Sequence, residues 1–379
     1  MNRLKKKFKK IYAKMISNLI YDRDKRIRVR KILSESKRGS IKREWTEPKS
    51  HCSHLISVSG EGHSGSGAVI DFLREFDNCS VSGGIDENGI GPLGKTIKND
   101  EAKIEFTIFR DSYGILDLEK YIAAGLLNSD IINHFVGLSE RFYVNNGGIY
   151  NDKYMELMWE FVDQISDKKK LSGWDIGYAS FCDDEEKSIP TNISAPYLVY
   201  PSDIGYTFAS KKDLTLDVYR QRAQIFLDKV FKTIESKEYL VLDQFIGPNV
   251  SDDTIKNYVK DLKRLHVYRD PRDVFATAIL LDVPWLPKKV DEFINSYKRM
   301  RERLVIGENK NIMYISFEDL VFNYEQNIKK IMDFCGLKEE NHIYKKGFFD
   351  PNVSRKNIGL YKKLDNQDDI RLIEKAFNL

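Results

Sequence analysis

Two turns of this sequence, far apart along the chain, carry the residue types that bind phosphate or sulfate. The later turn reads YRDPRDVFAT, with Arg269 at the end of a predicted strand and Thr277 eight residues on, inside a predicted helix. A guanidinium is planar and permanently charged, which suits phosphate, and the threonine hydroxyl can donate to the same anion. The earlier turn, residues 59–67, reads SGEGHSGSG between another strand and helix. Its glycines let backbone amides converge at a helix start, so two anion sites predict a ligand with phosphates at both ends.

The earlier turn differs from the loop that binds nucleoside triphosphates. That loop reads G-x-x-x-x-G-K-[ST], in which lysine neutralises the triphosphate and the hydroxyl holds magnesium. Counted from Gly60, the second glycine falls correctly at Gly65, but Ser66 stands at the lysine position and Gly67 at the hydroxyl position. The sequence therefore argues against an ordinary ATP or GTP site and predicts no metal.

Apolar runs that alternate with helical patterns position the two turns. Such runs indicate a parallel sheet covered by helices on both faces, hence an α/β fold. Residues 101–235 are mostly helical in pattern and predict an insertion that carries substrate contacts, and residues 325–337 predict a closing helix that ends at Gly336. The predicted strands are Leu55–Val58, Cys79–Val81, Glu238–Leu242, Arg264–Tyr268 and Ile312–Ile315.

The net charge of +4 conceals a strongly basic N-terminal region. Residues 1–45 hold 17 Lys and Arg against 4 Asp and Glu, and residues 1–24 have apolar side chains at helical spacing. This pattern predicts a helix that docks on an anionic membrane surface or an acidic partner, with a solvated arm as the equal alternative and a nucleic-acid arm third. No interleaved aromatic platform supports nucleic-acid binding. Four cysteines without a C-x-x-C pair, and no secretory or membrane-spanning segment, predict a cytoplasmic protein that docks peripherally at the inner membrane face.

Four blocks of the sequence together resemble the sulfotransferases that use 3′-phosphoadenosine 5′-phosphosulfate. The blocks are Ser64-Gly65-Ser66, the Arg269–Thr277 segment, YISFEDLV at 314–321 with FCGL at 334–337, and SRKNIGLYK at 354–362. They lie in the family's order between Leu55 and Lys363, while residues 101–235 match nothing in it. The resemblance implies a three-layer α/β domain of P-loop NTPase-like topology at 51–379, preceded by an extension and linker at 1–50.

The resemblance also assigns roles to individual residues. It implies that the first loop holds the 5′-phosphosulfate through Gly62, His63, Ser64, Gly65, Ser66 and Gly67. Arg269 and Thr277 would hold the 3′-phosphate, and the final basic loop, Arg355, Lys356 and Asn357, would wrap the nucleotide end.

One position departs from the family pattern. Many members have Lys or Arg just before the Ser-Gly of the first loop, where this chain has His63. The reaction needs a cation or proton donor at the bridging oxygen as charge builds on the leaving group. We favour His63 as a slower substitute, and two alternatives are a lysine that reaches in (Lys95, Lys98 or Lys356) and a site that binds without turnover.

The acceptor hydroxyl also needs a general base. Glu87, in the loop after the second strand, is our first candidate, and Asp86 and Asp243 are the alternatives. Aromatic residues of the insertion and the basic arm favour a carbohydrate or glycolipid acceptor. Two other classes remain open: an atypical nucleotide kinase, and a non-catalytic nucleotide-binding scaffold.

Overall fold

The computed structural model describes residues 54–81, 106–145, 151–170, 206–233, 237–302 and 310–379. Contacts divide the chain into a larger unit, Glu47–Asp167 with Ser210–Leu379, and a smaller one, Met1–Thr46 with Lys168–Ala209. All the features discussed below belong to the larger unit, apart from two short strands that lie mostly in the smaller one. The basic arm, residues 1–24, lies outside the described residues, so its docking role stays a prediction.

A five-stranded parallel sheet forms the centre of the larger unit. Its strands occur in the order β2-β5-β1-β6-β7, so β1 is central and the chain runs first to one side of it and then to the other. Ligands of such sheets bind beyond the carboxyl ends of the strands, where the strand order reverses. The strands are β1 (His54–Gly60), β2 (Cys79–Val81), β5 (Tyr239–Asp243), β6 (Leu262–Tyr268) and β7 (Ile312–Ser316), with β3 (Ser166–Lys170) and β4 (Tyr206–Ser210) in a separate pair.

Helices surround this sheet, which confirms the predicted α/β class. The first ones are α1 (Ser66–Leu73), α2 (Ile115–Ala123), α3 (Ser129–Asn145), α4 (Asn151–Ile165), α5 (Leu216–Thr233) and α6 (Asp252–Ile255). The later ones are α7 (Pro271–Leu280), α8 (Val290–Glu302), α9 (Phe317–Phe322), α10 (Tyr324–Cys335), α11 (Pro351–Ser354) and α12 (Gln367–Phe377).

The two faces of the sheet differ in chemistry because side chains alternate along each strand. Ile56 and Val58 of β1 and Val267 of β6 join the apolar core against α1 and α10. The intervening residues, Ser57, Ser59, Arg264 and His266, are buried and polar and lie on the opposite face. There the Arg264 guanidinium bonds to Asp252 of α6.

The insertion differs in part from its helical prediction. Helices α2 to α5 agree with it, but the strand pair β3 and β4 was not predicted. The residues of β3 read SDKKK, which has none of the β-branched or aromatic side chains that mark strands. Contacts made elsewhere in the chain therefore override local preference at this position.

Candidate functional site

The first turn closes tightly between β1 and α1. The Ser64 amide donates to the Glu61 carbonyl (2.8 Å), and the Ala68 amide donates to the Gly65 carbonyl (2.9 Å). Gly65 caps α1 with φ 90°, and a Cβ built there would lie 2.3 Å from Cδ2 of Phe317. His63 has φ 57°, in the left-handed region where a side chain is costly. A strained, glycine-dependent turn at a helix start is typical of an anion-binding loop.

The second turn opens α7 as the sequence predicts. Pro271 takes the first helical position, and the Asp270 carboxylate accepts from the Arg272 amide at 2.8 Å. Arg272 pairs with Asp270 and with Glu374 of α12 (2.8 Å). Asp270 braces this turn, whereas the carboxylate of Asp273 bonds to backbone amides of a different segment.

Asp273 instead anchors the final basic loop. Its carboxylate accepts from the Gly359 amide at 2.8 Å and from the Tyr361 amide at 3.1 Å, and its side chain is almost fully buried. The Arg272 guanidinium stacks over the Tyr361 ring, 4.3 Å from its centre. Helix α7 thus fixes the loop whose residues the resemblance assigns to the nucleotide.

Arg269 joins the three candidate segments. Its Nη1 donates to the His63 carbonyl (3.0 Å) and lies 3.3 Å from Thr277 Oγ1, while its Nη2 donates to the Asn357 carbonyl. The guanidinium stands 5.3 Å from the Phe317 ring centre, and the residue is only 5% exposed. Burial lowers the pKa of Arg269, yet a guanidinium stays protonated in proteins. The structure therefore brings together four of the predicted residues: His63, Arg269, Thr277 and Asn357.

Arg355 and Lys356 lie beside Asn357 in a single 3₁₀ turn. Both side chains are exposed, and the Arg355 guanidinium stacks over the Phe322 ring at 5.5 Å. Their surface position leaves them accessible to a nucleotide phosphate.

The first loop contains a buried carboxylate, that of Glu61. Tyr297 Oη of α8 donates to the Glu61 carboxylate and lies 3.1 Å from the Arg269 carbonyl. Arg301 Nε is 3.6 Å from the same carboxylate, and its Nη2 donates to the Arg269 carbonyl at 3.1 Å. Burial raises the pKa of Glu61, and the nearby Tyr297 and Arg301 lower it less. Helix α8 thus ties the two turns together through long-range polar contacts that no local sequence pattern predicts.

His63 has an aromatic neighbour. Its ring stacks on Trp285, with ring centres 5.6 Å apart and planes tilted by 16°, and Trp285 is 70% exposed. Burial, and then the charge of Arg269, lowers the pKa of His63. The neutral imidazole is therefore favoured here at neutral pH, and its N–H remains able to donate to an anion.

Two further polar residues, Gln244 and Arg110, lie at the carboxyl edge of the sheet. Gln244 follows β5 directly, and its Nε2 donates to Ser66 Oγ (3.3 Å) while its Oε1 accepts from Arg110 Nη2 (2.9 Å). Sequence reasoning missed both residues. The position of Gln244 after a buried strand was the available signal, since active-site residues gather at that edge.

His266 is a buried structural residue of the sheet. It lies within β6, only 3% exposed, with Nδ1 3.1 Å from Ser59 Oγ. Burial, together with the charges of Arg110 and Arg301, lowers the pKa of His266 to about 4.

Of the three candidates for the general base, the described residues include only Asp243. Glu87 and Asp86 fall outside the described residues, as do Lys95 and Lys98. Asp243 ends β5 and is 5% exposed, and its charge acts on Arg74. The choice of base therefore stays a prediction.

Several buried polar atoms around Arg269 could bind a phosphorylated nucleotide. Among the described residues, Ser64 Oγ, His63 Nε2 and Arg269 Nε have no hydrogen-bond partner. Buried polar groups are normally paired, so donors of this kind beside a glycine loop fit an anionic ligand. In the same residues no cluster of three metal-binding side chains occurs. No helix among them combines the length and the apolar character needed to cross a bilayer.

Comparison with known families agrees with this geometry. Residues 288–366 match the family model of the sulfotransferase domain. This stretch is therefore similar to a sulfotransferase domain. The match confirms the resemblance for the blocks at 314–321, 334–337 and 354–362, and it spans well under half of the chain, so the likeness to sulfotransferases rests on that segment.

Other comparisons are weaker. A sulfotransferase domain of the Synechococcus PCC 7002 olefin synthase aligns with 89% of this chain and 98% of its own, at 12% identity and a TM-score of 0.37. At this TM-score the structural likeness supports no conclusion about this chain. A search of curated proteins finds no match.

Proposed function

We propose that this protein transfers a sulfuryl group from 3′-phosphoadenosine 5′-phosphosulfate to a hydroxyl or amine of an acceptor, most simply a carbohydrate or glycolipid. The observation that carries the proposal is the contact of one buried guanidinium, that of Arg269, with the first loop, Thr277 and the final basic loop. A ligand with phosphates at both ends would use all three segments. The family match over residues 288–366 gives the reaction class.

The donor, when bound, supplies an activated sulfuryl group whose bond to the 5′-phosphate breaks as the acceptor oxygen attacks sulfur. Backbone amides of residues 62–67, apart from the Ser64 amide that is bonded to Glu61, donate to the phosphosulfate end together with the Ser64 hydroxyl, aided by the partial positive charge of the start of α1. Arg269 and Thr277 hold the 3′-phosphate, and residues 355–357 close over the nucleotide. Positioning and fixed dipoles provide most of the rate in reactions of this type.

The transfer needs two groups of the chain, a proton acceptor for the attacking hydroxyl and a hydrogen-bond donor for the leaving phosphate. The acceptor hydroxyl gives its proton to a carboxylate, for which Glu87 is the first candidate and Asp86 and Asp243 are the alternatives. Charge builds on the leaving phosphate as the sulfur–oxygen bond breaks, and the N–H of neutral His63 can donate there. A neutral donor stabilises that charge less than lysine does, which favours slow turnover.

An exposed aromatic side chain supports a carbohydrate acceptor. Trp285 presents an indole that is 70% exposed, stacked on His63 beside the first loop. Indole faces suit the flat, weakly polar faces of sugar rings. The aromatic residues noted in the insertion help less, because Trp159 is half-buried and the others lie outside the described side chains.

One calorimetric comparison tests the proposal. Purified protein is titrated with 3′,5′-bisphosphoadenosine and, separately, with ATP and magnesium. We expect micromolar bisphosphate binding and no response to ATP with magnesium. An ATP–magnesium response without bisphosphate binding would instead support the kinase class.

Turnover separates the enzyme from a binding scaffold. Release of bisphosphate from the phosphosulfate donor is followed with and without oligosaccharide acceptors. We expect an acceptor-dependent rate. Tight bisphosphate binding, with a release rate no faster than in buffer for every acceptor, would favour the non-catalytic scaffold.

A further inference from the structure

The first loop lacks a cation where a triphosphate loop has one. Ser66 stands at that lysine position, and among the described residues two guanidiniums close to the turn, those of Arg269 and Arg301, already have other partners. Arg269 contacts backbone carbonyls and Thr277, and Arg301 contacts Glu61 and the Arg269 carbonyl. The negative charge of a transferring group at Ser66 would therefore need another partner.

Arg110 is connected to Ser66 through one side chain. Arg110 Nη2 donates to Gln244 Oε1 at 2.9 Å, and Gln244 Nε2 donates to Ser66 Oγ at 3.3 Å. Gln244 has φ 58°, a conformation that is costly for a residue with a side chain, and its amide donates to the Val58 carbonyl at 2.7 Å. The Gln244 bridge is thus held by the end of β1, the strand that leads into the loop.

The backbone that carries Arg110 is fixed on the sheet. The Phe106 amide donates to the Asp243 carbonyl at 2.6 Å, and Phe109 is fully buried with its ring centre 4.9 Å from that of Phe245. Arg110 follows directly and is exposed. The guanidinium is therefore presented at the carboxyl edge of the strands from a rigid support.

The remaining donors of Arg110 face no opposing charge in the described part of the chain. Its bond there is to the neutral amide of Gln244, with no carboxylate at ion-pair distance. The positive charge of Arg110 acts within the site, since it contributes, after the larger effect of burial, to the low pKa of His266 in strand β6. A guanidinium with unused donors, at the edge where ligands of parallel sheets bind, suits an anionic group.

We propose that Arg110 binds the transferring sulfuryl group, at the place where a triphosphate loop uses its lysine. This inference rests on the proposed function and adds to it the residue that supplies a permanent cation. Arg110 donates N–H groups to the sulfuryl oxygens and no proton is transferred, so its role does not change between pH 6 and 8. Gln244 is the positioning residue that fixes the guanidinium against Ser66.

The test compares two nucleotides that differ only in the sulfuryl group. Calorimetry measures the affinity of 3′,5′-bisphosphoadenosine and of the phosphosulfate donor for wild type, Arg110→Gln and Arg110→Lys. Arg371→Gln is the matched control, because Arg371 is an exposed arginine paired only with Asp368 one helical turn away. We expect Arg110→Gln to weaken the donor by about 10-fold and leave the bisphosphate within about twofold. Arg110→Lys should recover part of the loss, and the control should match wild type.

Each other result overturns the inference in a recognisable way. Equal donor affinity in wild type and Arg110→Gln would remove Arg110 from the sulfuryl site while leaving the proposed function intact. An equal loss of affinity for both nucleotides would mean that Arg110 contacts the part the two nucleotides share, or that it supports the fold. The thermal unfolding midpoint separates these two cases, because only a fold defect lowers it. Failure of wild type to bind either nucleotide would overturn the proposed function, and this inference with it.

Discussion

Arg269 Nη1 lies 3.0 Å from the carbonyl oxygen of His63, across 206 residues of sequence. This hydrogen bond joins the turn after β1 to the turn after β6, which are neighbouring strands of the sheet. Because the guanidinium also reaches Thr277 and Asn357, it fixes the spacing between the two predicted anion sites. The proposed nucleotide site therefore depends above all on the position of the Arg269 guanidinium.

Gly65 and Gly125 form a matched pair that tests how the first loop is built. Both have positive φ, 90° and 68°, but a Cβ at Gly65 meets the Phe317 ring at 2.3 Å, whereas one at Gly125 meets nothing within 4 Å. Gly125→Ala should cost about 1 kcal/mol of unfolding free energy, from strain alone. Gly65→Ala should cost about 2–4 kcal/mol, because an overpacking cost adds to the strain.

Urea denaturation measures both stabilities, and bisphosphate titration adds a functional readout. Phe317 also packs under Arg269, so its displacement in Gly65→Ala should weaken bisphosphate binding. Gly125→Ala should bind as wild type does. Equal costs in the two variants would contradict the close approach of Gly65 to Phe317.

Asp273→Ala tests the anchor of the final basic loop. The change removes the acceptor of the Gly359 and Tyr361 amides at a buried site, and should cost about 2 kcal/mol of unfolding free energy. Bisphosphate affinity should fall as well, because residues 355–357 lose their support on α7. The control is Asp368→Ala, an exposed acid with one surface pair, for which a change within about 0.5 kcal/mol is expected. Unchanged affinity in Asp273→Ala would mean that the loop does not need this anchor.

His266 predicts a pH dependence of stability. Its pKa is lowered from 6.5 to about 4, chiefly by burial, so below pH 6.5 the unfolded chain takes up a proton that the folded chain refuses. The stability associated with neutral His266 is present above pH 6.5 and is lost as the pH falls towards 4, by about 3 kcal/mol in all. Urea denaturation at pH 7 and pH 4.5, with His266→Gln for comparison, measures this. Wild type should lose more stability than the variant, and parallel losses would contradict a buried neutral histidine.

The sequence was sufficient to predict the central sheet because local pattern decides its strands. Strands β1, β2, β5, β6 and β7 each place apolar side chains in the core, and every one was predicted within a few residues. The Pro271 helix start and the Gly336 helix end follow from backbone preferences that need no tertiary information.

The site was predictable only where one segment carries its own signal. Glycines and serines mark the loop at 62–67, and the spacing of Arg269 and Thr277 marks the second turn. Long-range pairs have no such signal, so the contacts of Tyr297 and Arg301 with Glu61, and the bridge from Arg110 to Ser66, were missed. The anchoring role of Asp273 has no sequence signal either, since its partners lie 86 and 88 residues away.

Recognition of a 3′-phosphate by Arg269 is the property on which the proposed donor site depends most directly. Calorimetry compares 3′,5′-bisphosphoadenosine with adenosine 5′-monophosphate, which lacks that group, for wild type, Arg269→Ala and Thr277→Val. We predict that wild type prefers the bisphosphate by about 100-fold, because two charge-assisted contacts are gained, and that Arg269→Ala reduces the preference to about threefold or less. Thr277→Val keeps the shape of the side chain and should give an intermediate value. Equal affinity of wild type for the two nucleotides would contradict the account, as would a preference that survives in a folded Arg269→Ala protein.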